Sequence, residues 1–279
     1  MTSHLCPLCD HTKVAHYFTE KKRDYLQCQQ CSLVFVPPEF HLSTSNEKSE
    51  YDKHENQLED LGYLTFLSRL AKPLLTQLID SDFADGFASQ LSKPESYSCH
   101  SNSISSSNSN NFVNSINSAS LPTSDGKFED DKRLNEKPLG KKKSDLTGLD
   151  FGCGPGPALA FELRRLGLNI SEYDIYYADD KSLLNKQYDF ITCTEVIEHF
   201  NTPSKELSQL IEMIKPDGLL AIMTKLVIDK QRFANWHYKN DPTHISFFSQ
   251  PTFEFIAKKF GLTLEFVDKD VIFLKKPKS

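Results

Sequence analysis

Four cysteines near the N-terminus are spaced as metal ligands. They form two Cys-x-x-Cys pairs, Cys6 with Cys9 and Cys28 with Cys31, joined by a spacer of intermediate length. In a reducing compartment such pairs indicate a metal site before they indicate disulfides, and this spacing is typical of structural zinc. Iron, or two pairs that occur by chance, are the alternatives. Four cysteine ligands leave no coordination position for water, so the metal is expected to stabilise an N-terminal knuckle and not to catalyse.

A glycine-rich turn later in the chain is placed to bind a ligand. The segment Leu149–Pro157 reads LDFGCGPGP, with glycines at Gly152, Gly154 and Gly156. Glycines at alternate positions let the backbone approach a ligand closely where a helix begins. The Gly-x-Gly-x-x-Gly fingerprint of nicotinamide-binding proteins does not fit, since Pro157 and Leu159 occupy the places of its last glycine.

Two acids accompany this turn. Asp150 lies shortly before the first glycine, and Asp174 ends the next predicted strand. An acid in the position of Asp174 accepts hydrogen bonds from the hydroxyls of a ribose. A solvated loop acid and an ordinary tight turn are the alternatives for each feature alone. Together, in a strand-turn-helix-strand context, the two features predict a site for a nucleotide-type cofactor.

A second motif follows a strand that is predicted to be buried. The segment Tyr188–Phe200 reads YDFITCTEVIEHF and places Glu195 and His199 at the carboxyl end of the strand. Ligands of open α/β sheets bind at this edge, so both side chains are expected to face the cofactor or the substrate. His199 titrates near neutral pH and is a candidate general base. A histidine that only bonds a backbone group is an equally favoured alternative.

Aromatic residues and histidines are concentrated in the connection that follows the fifth predicted strand. This segment, Phe233–Phe248, contains the single tryptophan, Trp236, and the histidines His237 and His244. Aromatic walls suit a flat or apolar substrate, so these three residues are candidates for substrate binding. A loop that is packed by its own aromatic side chains is the alternative.

Alternating strands and helices are predicted to position these residues. The predicted strands are 146–151, 168–173, 188–194 and 219–224, and the predicted helices are 158–166, 202–214 and 251–260. A turn is expected at 215–218. Two last strands, 262–267 and 271–275, are expected to form an antiparallel hairpin. This order indicates an α/β fold with a Rossmann-like, mostly parallel sheet.

The chain divides into four regions on this interpretation. They are a zinc-binding knuckle at 1–40, a linker and first helix at 41–91, a Ser/Asn-rich insertion at 92–144, and the α/β domain at 145–279. Leucines recurring at helical spacing predict a helix at 57–80. Serine and asparagine make up more than half of the stretch 98–125. So little of it can be buried that the insertion is expected to be disordered.

Charge and hydropathy exclude some partners. The formal net charge of −6 disfavours a surface that coats nucleic acid, although a local basic patch remains compatible with it. Neither a leader peptide nor an apolar run long enough to span a bilayer is evident, so a cytoplasmic protein without a membrane partner is expected.

These motifs together resemble a bacterial family of zinc-ribbon class I S-adenosylmethionine-dependent methyltransferases, similar to ubiquinone methyltransferases. The resemblance is carried by the cysteine pairs, Tyr51–Asn56, Leu149–Pro157, Thr192–Phe200 and Trp236–Phe248. It implies a class I methyltransferase sheet beside a zinc ribbon. It also implies that Tyr51 and His54 close over the cofactor, with a solvated polar linker as the alternative.

The resemblance further assigns roles to individual residues. The cofactor S-adenosylmethionine is expected at Asp150, Gly152, Gly154, Gly156, Asp174, Thr194 and Glu195. Catalytic roles are expected among Glu195, His199, His237 and His244. The stretch between Asp174 and Tyr188 is short, which leaves little room for a regular third strand. The acid that contacts adenine in the family is therefore uncertain, with Asp179 and Asp180 as candidates.

The activity implied is methyl transfer to a small-molecule acceptor by in-line displacement at the sulfonium methyl. One alternative is an RNA methyltransferase that binds RNA through the knuckle. It would need clustered cations, and residues 13–31 offer Lys13, Lys21, Lys22 and Arg23. The other alternative is a zinc-ribbon adaptor without turnover. The sequence predicts neither the acceptor nor the oligomeric state.

Overall fold

The structure, a computed structural model, describes residues 4–53, 60–79 and 145–278. These residues belong to one compact unit. The predicted insertion at 92–144 and the candidate residue His54 lie outside the described residues. No helix in the described ranges is long and apolar enough to cross a bilayer.

The N-terminal region forms a small antiparallel ribbon followed by two helices. Its strands are β1 (Val14–Glu20), β2 (Arg23–Cys28) and β3 (Val34–Phe35), and the helices are α1 (Thr44–Tyr51) and α2 (Leu61–Leu78). Asp60 caps α2 by accepting hydrogen bonds from the N–H groups of Gly62 and Tyr63. The observed helix agrees with the leucine pattern at 57–80, of which 57–59 and 80 lie outside the described residues.

A six-stranded sheet forms the centre of the C-terminal region. The strands of this region are β4 (Thr147–Phe151), β5 (Asn169–Tyr173), β6 (Tyr188–Thr194), β7 (Ile214–Met223), β8 (Ser246–Phe247), β9 (Thr263–Asp268) and β10 (Val271–Lys275). All except β8 form one sheet in the order β5-β4-β6-β7-β10-β9. Strand β10 runs antiparallel to both of its neighbours, β7 and β9. The pairs β5-β4, β4-β6 and β6-β7 are parallel. The predicted mostly parallel sheet with a closing antiparallel hairpin is confirmed.

Helices cover both faces of this sheet. The helices of this region are α3 (Ala158–Arg165), α4 (Pro203–Glu212), α5 (Lys230–Ala234) and α6 (Gln250–Phe260). Of these, α5 packs through Phe233 against the ribbon and not on this sheet. One core joins α2 and α3 to strand residues such as Phe190 and Phe273. The other core joins α4 and α6 to the alternate residues, such as Ile191 and Ile272. Successive side chains of a strand point to opposite faces, so these strands must be apolar at nearly every position.

The ribbon docks directly on the α/β domain. Strand β3 pairs with β8, with Val34 opposite Phe247 and Phe35 opposite Ser246. The cysteine cluster and Leu33 belong to the same buried core as α4 and α6. The ribbon therefore shares both a sheet and a core with the rest of the described chain.

Two local features depart from regular geometry. The turn predicted at 215–218 is wrong, because these residues lie within β7 as a bulge between Ile214, which pairs with Tyr188, and Leu219, which pairs with Phe190. The bulge is held by Lys215, whose Nζ donates to the Asp189 carboxylate at 2.8 Å. Within the described residues, no strand lies between β5 and β6, as the short spacing predicted.

Candidate functional site

A cavity of about 830 Å³ opens at the carboxyl ends of β4, β5 and β6. This volume lies within the range of ordinary small-molecule sites. The glycine turn and the loop after β5 line one part of the cavity. The turn after β6, the loop that precedes β8, and helices α1 and α2 line the rest. One continuous cavity thus brings together both sequence motifs.

The glycine turn is held open by its backbone conformation and by Asp174. Gly152 and Gly154 have positive φ angles of 76° and 66°, which favour glycine. A Cβ atom on Gly152 would lie 2.4 Å from a methyl of Val196, so a larger residue would not fit. The N–H of Gly154 donates to Asp174 Oδ2 at 3.0 Å. Gly156 lies just beyond the residues that line the cavity.

Asp174 lies at the cavity wall with its carboxylate firmly positioned. Besides Gly154, it accepts hydrogen bonds through Oδ1 from the N–H groups of Tyr176, at 2.8 Å, and Tyr177, at 3.2 Å. The side chain is 9 % exposed. The residue is therefore in the position that the ribose-binding role requires. Asp179 and Asp180, the candidates for an adenine contact, are exposed and do not line the cavity.

Asp150 is not placed in the cavity by this structure. Its side chain is buried, and Thr192 Oγ1 donates to its carboxylate at 2.7 Å. Burial raises the pKa of Asp150 to about 6. The residue is absent from the cavity lining, because its side chain bonds to the neighbouring strand β6 instead. Asp150 thus supports the strand that carries the glycine turn, and direct contact with a cofactor is not supported.

Two polar atoms at the end of β6 are buried at the cavity and have no hydrogen-bond partner among the described residues. They are Thr194 Oγ1 and Glu195 Oε1. Glu195 also has a φ of 53°, an uncommon conformation for a residue with a side chain. Burial raises the pKa of Glu195, opposed by the charge of Lys225. Unpaired buried polar atoms are costly, so these two atoms fit a ligand that supplies polar hydrogens.

His199 and His244 form a further part of the cavity wall. Their ring centroids are 4.7 Å apart. His199 Nδ1 lies 3.2 Å from the carbonyl oxygen of Thr243, and His244 Nδ1 lies 2.7 Å from that of Tyr238. A carbonyl oxygen only accepts, so Nδ1 carries the proton in both rings and Nε2 is the basic nitrogen when the ring is neutral. Burial lowers the pKa of His244, which keeps that ring neutral near pH 7.

Two other candidates from the aromatic segment lie outside the cavity. His237 is exposed and is absent from the lining, because the short helical turn His237–Asn240 buries Tyr238 instead. The catalytic role predicted for His237 is therefore not supported. Trp236 packs against Phe233, Tyr238 and Phe247, as the alternative of a self-packed aromatic loop predicts.

A buried carboxylate behind the histidines was not singled out from the sequence. Glu198 is fully buried, and its two oxygens accept hydrogen bonds from Tyr238 Oη at 2.6 Å and Thr224 Oγ1 at 2.9 Å. Burial and the charge of Glu195 raise the pKa of Glu198 to about 8. Donor atoms of Glu198, His199 and His244 lie within 4.8 Å of one another, as in a metal site. Hydroxyl groups of the protein, however, already satisfy both oxygens of Glu198.

Helix α1 connects the two parts of the cavity. The Tyr51 hydroxyl donates to Glu47 Oε1 at 2.9 Å, and the Tyr176 hydroxyl donates to Glu47 Oε2 at 3.2 Å. The Tyr51 ring also lies 5.2 Å from that of His199. Tyr51 therefore lies at the cavity, where the resemblance placed it.

The four N-terminal cysteines converge as the spacing predicted. Their Sγ atoms lie within 4.8 Å of one another, with 3.5 Å between Cys6 and Cys31 and 3.5 Å between Cys9 and Cys28. Four sulfurs at about 2.3 Å from a zinc ion would be about 3.8 Å apart, whereas a disulfide bond is about 2.05 Å. The donor set and its geometry therefore fit a tetrahedral metal.

The fold and the cavity agree with a comparison against protein families. A family model described as "Methyltransferase domain" matches residues 130–266, close to half of the chain. Residues 130–266 are therefore similar to a methyltransferase domain. The match reaches from before β4 into β9, and so includes the glycine turn, Asp174 and both histidines of the cavity.

Curated relatives of this methyltransferase domain are similar over shorter stretches. A ubiquinone biosynthesis O-methyltransferase of Rickettsia bellii (strain OSU 85-389) is 32 % identical over 103 residues, 29 % of this chain and 42 % of that protein. The enzyme of the same name from Colwellia psychrerythraea is 30 % identical over 31 % of this chain and 35 % of that protein. The matches thus span less than half of these relatives.

A solved structure is similar at lower identity. It is magnesium protoporphyrin IX methyltransferase from Synechocystis PCC 6803 with bound S-adenosylhomocysteine, at 16 % identity and a TM-score of 0.37, over 47 % of this chain and 74 % of that one.

Proposed function

We propose that this protein transfers a methyl group from S-adenosylmethionine to a small-molecule acceptor. The observation that carries the proposal is the single cavity in which Asp174 and the glycine turn face the same space as His199 and His244. When bound, the cofactor supplies an electrophilic methyl group on its sulfonium sulfur. The protein has to hold the acceptor in line and, where necessary, remove its proton.

The cofactor's polar groups match polar atoms at the ends of β5 and β6, beside the glycine turn. Asp174 accepts a hydrogen bond from the ribose. Thr194 Oγ1 and Glu195 Oε1, which have no partner in the described residues, accept hydrogen bonds from the ammonium group of the amino-acid end. The positive φ angles at Gly152 and Gly154 let the backbone approach that end closely.

His199 is the proposed general base. Its Nδ1–H is fixed on Thr243 O, which directs Nε2 as the basic atom. The Tyr51 and His244 rings flank it at 5.2 and 4.7 Å and restrict where an acceptor can lie. Glu195, at the cavity end of β6, is assigned to the cofactor and not to proton removal.

Zinc at the four cysteines is a further part of the proposal. Tetrahedral coordination would hold the two Cys-x-x-Cys turns together and stabilise the ribbon. Thiolate ligands persist in a reducing compartment, so the proposal includes a cytoplasmic location.

The RNA alternative has little support in the ribbon. Of the four cations at 13–31, Arg23 is bound to backbone carbonyls of the loop that precedes β8, and only the three lysines remain exposed. The relatives named ubiquinone biosynthesis O-methyltransferases favour a small-molecule acceptor. An adaptor without turnover would not require a basic histidine nitrogen at the cavity.

Release of S-adenosylhomocysteine from S-adenosylmethionine, measured with metabolite and RNA fractions, tests the proposal. We expect turnover with the metabolite fraction. His199→Ala should lower it at least about 100-fold and leave S-adenosylhomocysteine affinity unchanged, whereas the matched control His237→Ala should behave like the parent. Turnover with RNA alone, or none with either fraction, would exclude the proposed function.

A further inference from the structure

Arg23 of the ribbon binds the loop that carries part of the cavity wall. From the start of β2, its Nη1 donates to the carbonyl oxygen of Asp241 at 3.0 Å and to that of Lys239 at 3.4 Å. Its Nη2 donates to Pro242 O at 3.3 Å and also to His244 O. One guanidinium group therefore gathers four carbonyl oxygens from a short stretch of chain.

Neighbouring ribbon residues bind the same loop. The Tyr25 hydroxyl donates to Lys239 O at 3.0 Å. The Lys239 side chain, almost fully buried, pairs with Glu20 at the end of β1. Beyond the loop, β8 pairs with β3. The ribbon thus fixes this loop at both ends and in the middle.

The fixed loop supplies part of the cavity wall. Tyr238, Asp241 and His244 line the cavity directly, and the carbonyl of Thr243 binds His199 Nδ1. By contrast, within the described ranges the Arg23 guanidinium makes no hydrogen bond to the glycine turn or to Asp174. Arg23 therefore binds the loop at 239–244, whereas Asp174 and the glycine turn are held by other hydrogen bonds.

We propose that Arg23 is a positioning residue for the acceptor half of the cavity, and that the ribbon forms part of this site instead of being a separate binding module. Through the four carbonyls, Arg23 fixes the loop on which the orientation of His199 and His244 depends. Only arginine offers a planar fork of donors that can reach several carbonyls at once, since a lysine ammonium is a compact point charge. That this part of the cavity binds the acceptor rests on the proposed function, whereas the positioning of the loop by Arg23 does not.

The test compares Arg23→Met and Arg23→Lys with Arg232→Met in the full, zinc-loaded chain. Arg232 is a matched control because its side chain is 70 % exposed and forms an ion pair with Asp229 at the start of its own helix. Three measurements are made on each variant. They are amide hydrogen exchange over 238–248, the imidazole NMR signals of His199 and His244, and calorimetric affinity for S-adenosylhomocysteine.

We expect Arg23→Met to accelerate exchange in 238–248 roughly tenfold or more, since local opening is governed by local contacts. The Nδ1–H signals of both histidines should be lost or broadened, and the affinity for S-adenosylhomocysteine should remain within about twofold. Arg23→Lys should restore these signals in part, and Arg232→Met should match the parent.

Two outcomes would overturn the proposal. Unchanged exchange and unchanged histidine signals in Arg23→Met would show that the loop does not need Arg23. If Arg23→Met lost S-adenosylhomocysteine affinity by as large a factor as its exchange in 238–248 accelerated, Arg23 would support the whole domain and not this loop. None of the three measurements uses an acceptor or turnover, so a failure of the proposed methyl transfer would be seen separately.

Discussion

Substitution of Asp174 by alanine should weaken cofactor binding by at least tenfold. A carboxylate has about four lone-pair sites, and the N–H groups of Gly154, Tyr176 and Tyr177 already occupy three. About one site remains for a ribose hydroxyl. The structure thus predicts one strong new hydrogen bond to the cofactor, with a second hydroxyl sharing an occupied oxygen.

The magnitude follows from this count. A hydrogen bond to a charged group contributes about 1.5–3 kcal/mol, and each 1.4 kcal/mol changes affinity about tenfold. Loss of one such bond therefore predicts an affinity about 10 to 150 times lower. Asp174→Ala also removes the acceptor for three N–H groups, so the free energy of unfolding should fall by about 1–3 kcal/mol for each of them that stays buried without a partner. Calorimetry must therefore be done under conditions in which Asp174→Ala is folded.

Titration calorimetry with S-adenosylhomocysteine is the assay, with urea denaturation to measure folding. Asp179→Ala is the matched control, since Asp179 is an exposed acid near the same strand and does not line the cavity. It should bind within about twofold of the parent. Asp174→Asn keeps one carbonyl acceptor and should lie between alanine and the parent.

The reasoning would be refuted if folded Asp174→Ala bound S-adenosylhomocysteine as tightly as the parent. It would also be refuted if Asp179→Ala lost as much affinity as Asp174→Ala, because the cofactor would then extend over a surface outside the cavity.

Three further predictions concern the metal, the insertion and the buried carboxylate. Purified protein should contain about one zinc per chain, and Cys28→Ser should lower the melting temperature more than Cys99→Ser; zinc-free protein that melts like the loaded form would contradict this. Deletion of residues 98–140 should leave affinity for S-adenosylhomocysteine within about twofold, because the deleted stretch contains none of the site motifs and the length of a connection changes closure entropy only slightly. Lost binding would show that the segment contributes to the site. Glu198, whose pKa is raised to about 8, holds a proton in the folded chain that the unfolded chain releases above its ordinary pKa. The free energy of unfolding of the parent should therefore fall as pH rises from 5 to 8, by up to about 1.4 kcal/mol per pH unit. In urea denaturation at pH 5 and pH 8, the free energy of unfolding of Glu198→Gln should fall by less than that of the parent. Equal decreases would contradict the assignment.

The features that could be predicted from the sequence are those encoded within a short stretch of chain. The glycine turn, Asp174 and the Glu-Val-x-Glu-His motif each depend on a strand and the residues that directly follow it. The order of strands and helices then brings them to one edge of the sheet. Spacing alone likewise sufficed for the four cysteines.

Features set by distant contacts could not be predicted in this way. His237 and His244 are similar in sequence context, but only His244 lies at the cavity, where its Nδ1 bonds to the carbonyl oxygen of Tyr238. Arg23 lies 221 positions before His244, and no local pattern links them. Asp150 has the position of a cofactor ligand in sequence, but Thr192 on the neighbouring strand binds its side chain. At 215–218, residues typical of a turn form a bulge within β7, and Lys215 in it bonds to Asp189, which is distant in sequence.

The central claim is that one cavity holds the cofactor at the glycine turn and presents its sulfur to the histidine pair. A crystal structure of the zinc-loaded protein with S-adenosylhomocysteine measures this directly. We expect the ribose at Asp174, the amino-acid end at Thr194 and Glu195, and the sulfur facing His199 and His244. A ligand bound outside the cavity, or a sulfur that faces away from both histidines, would contradict the claim.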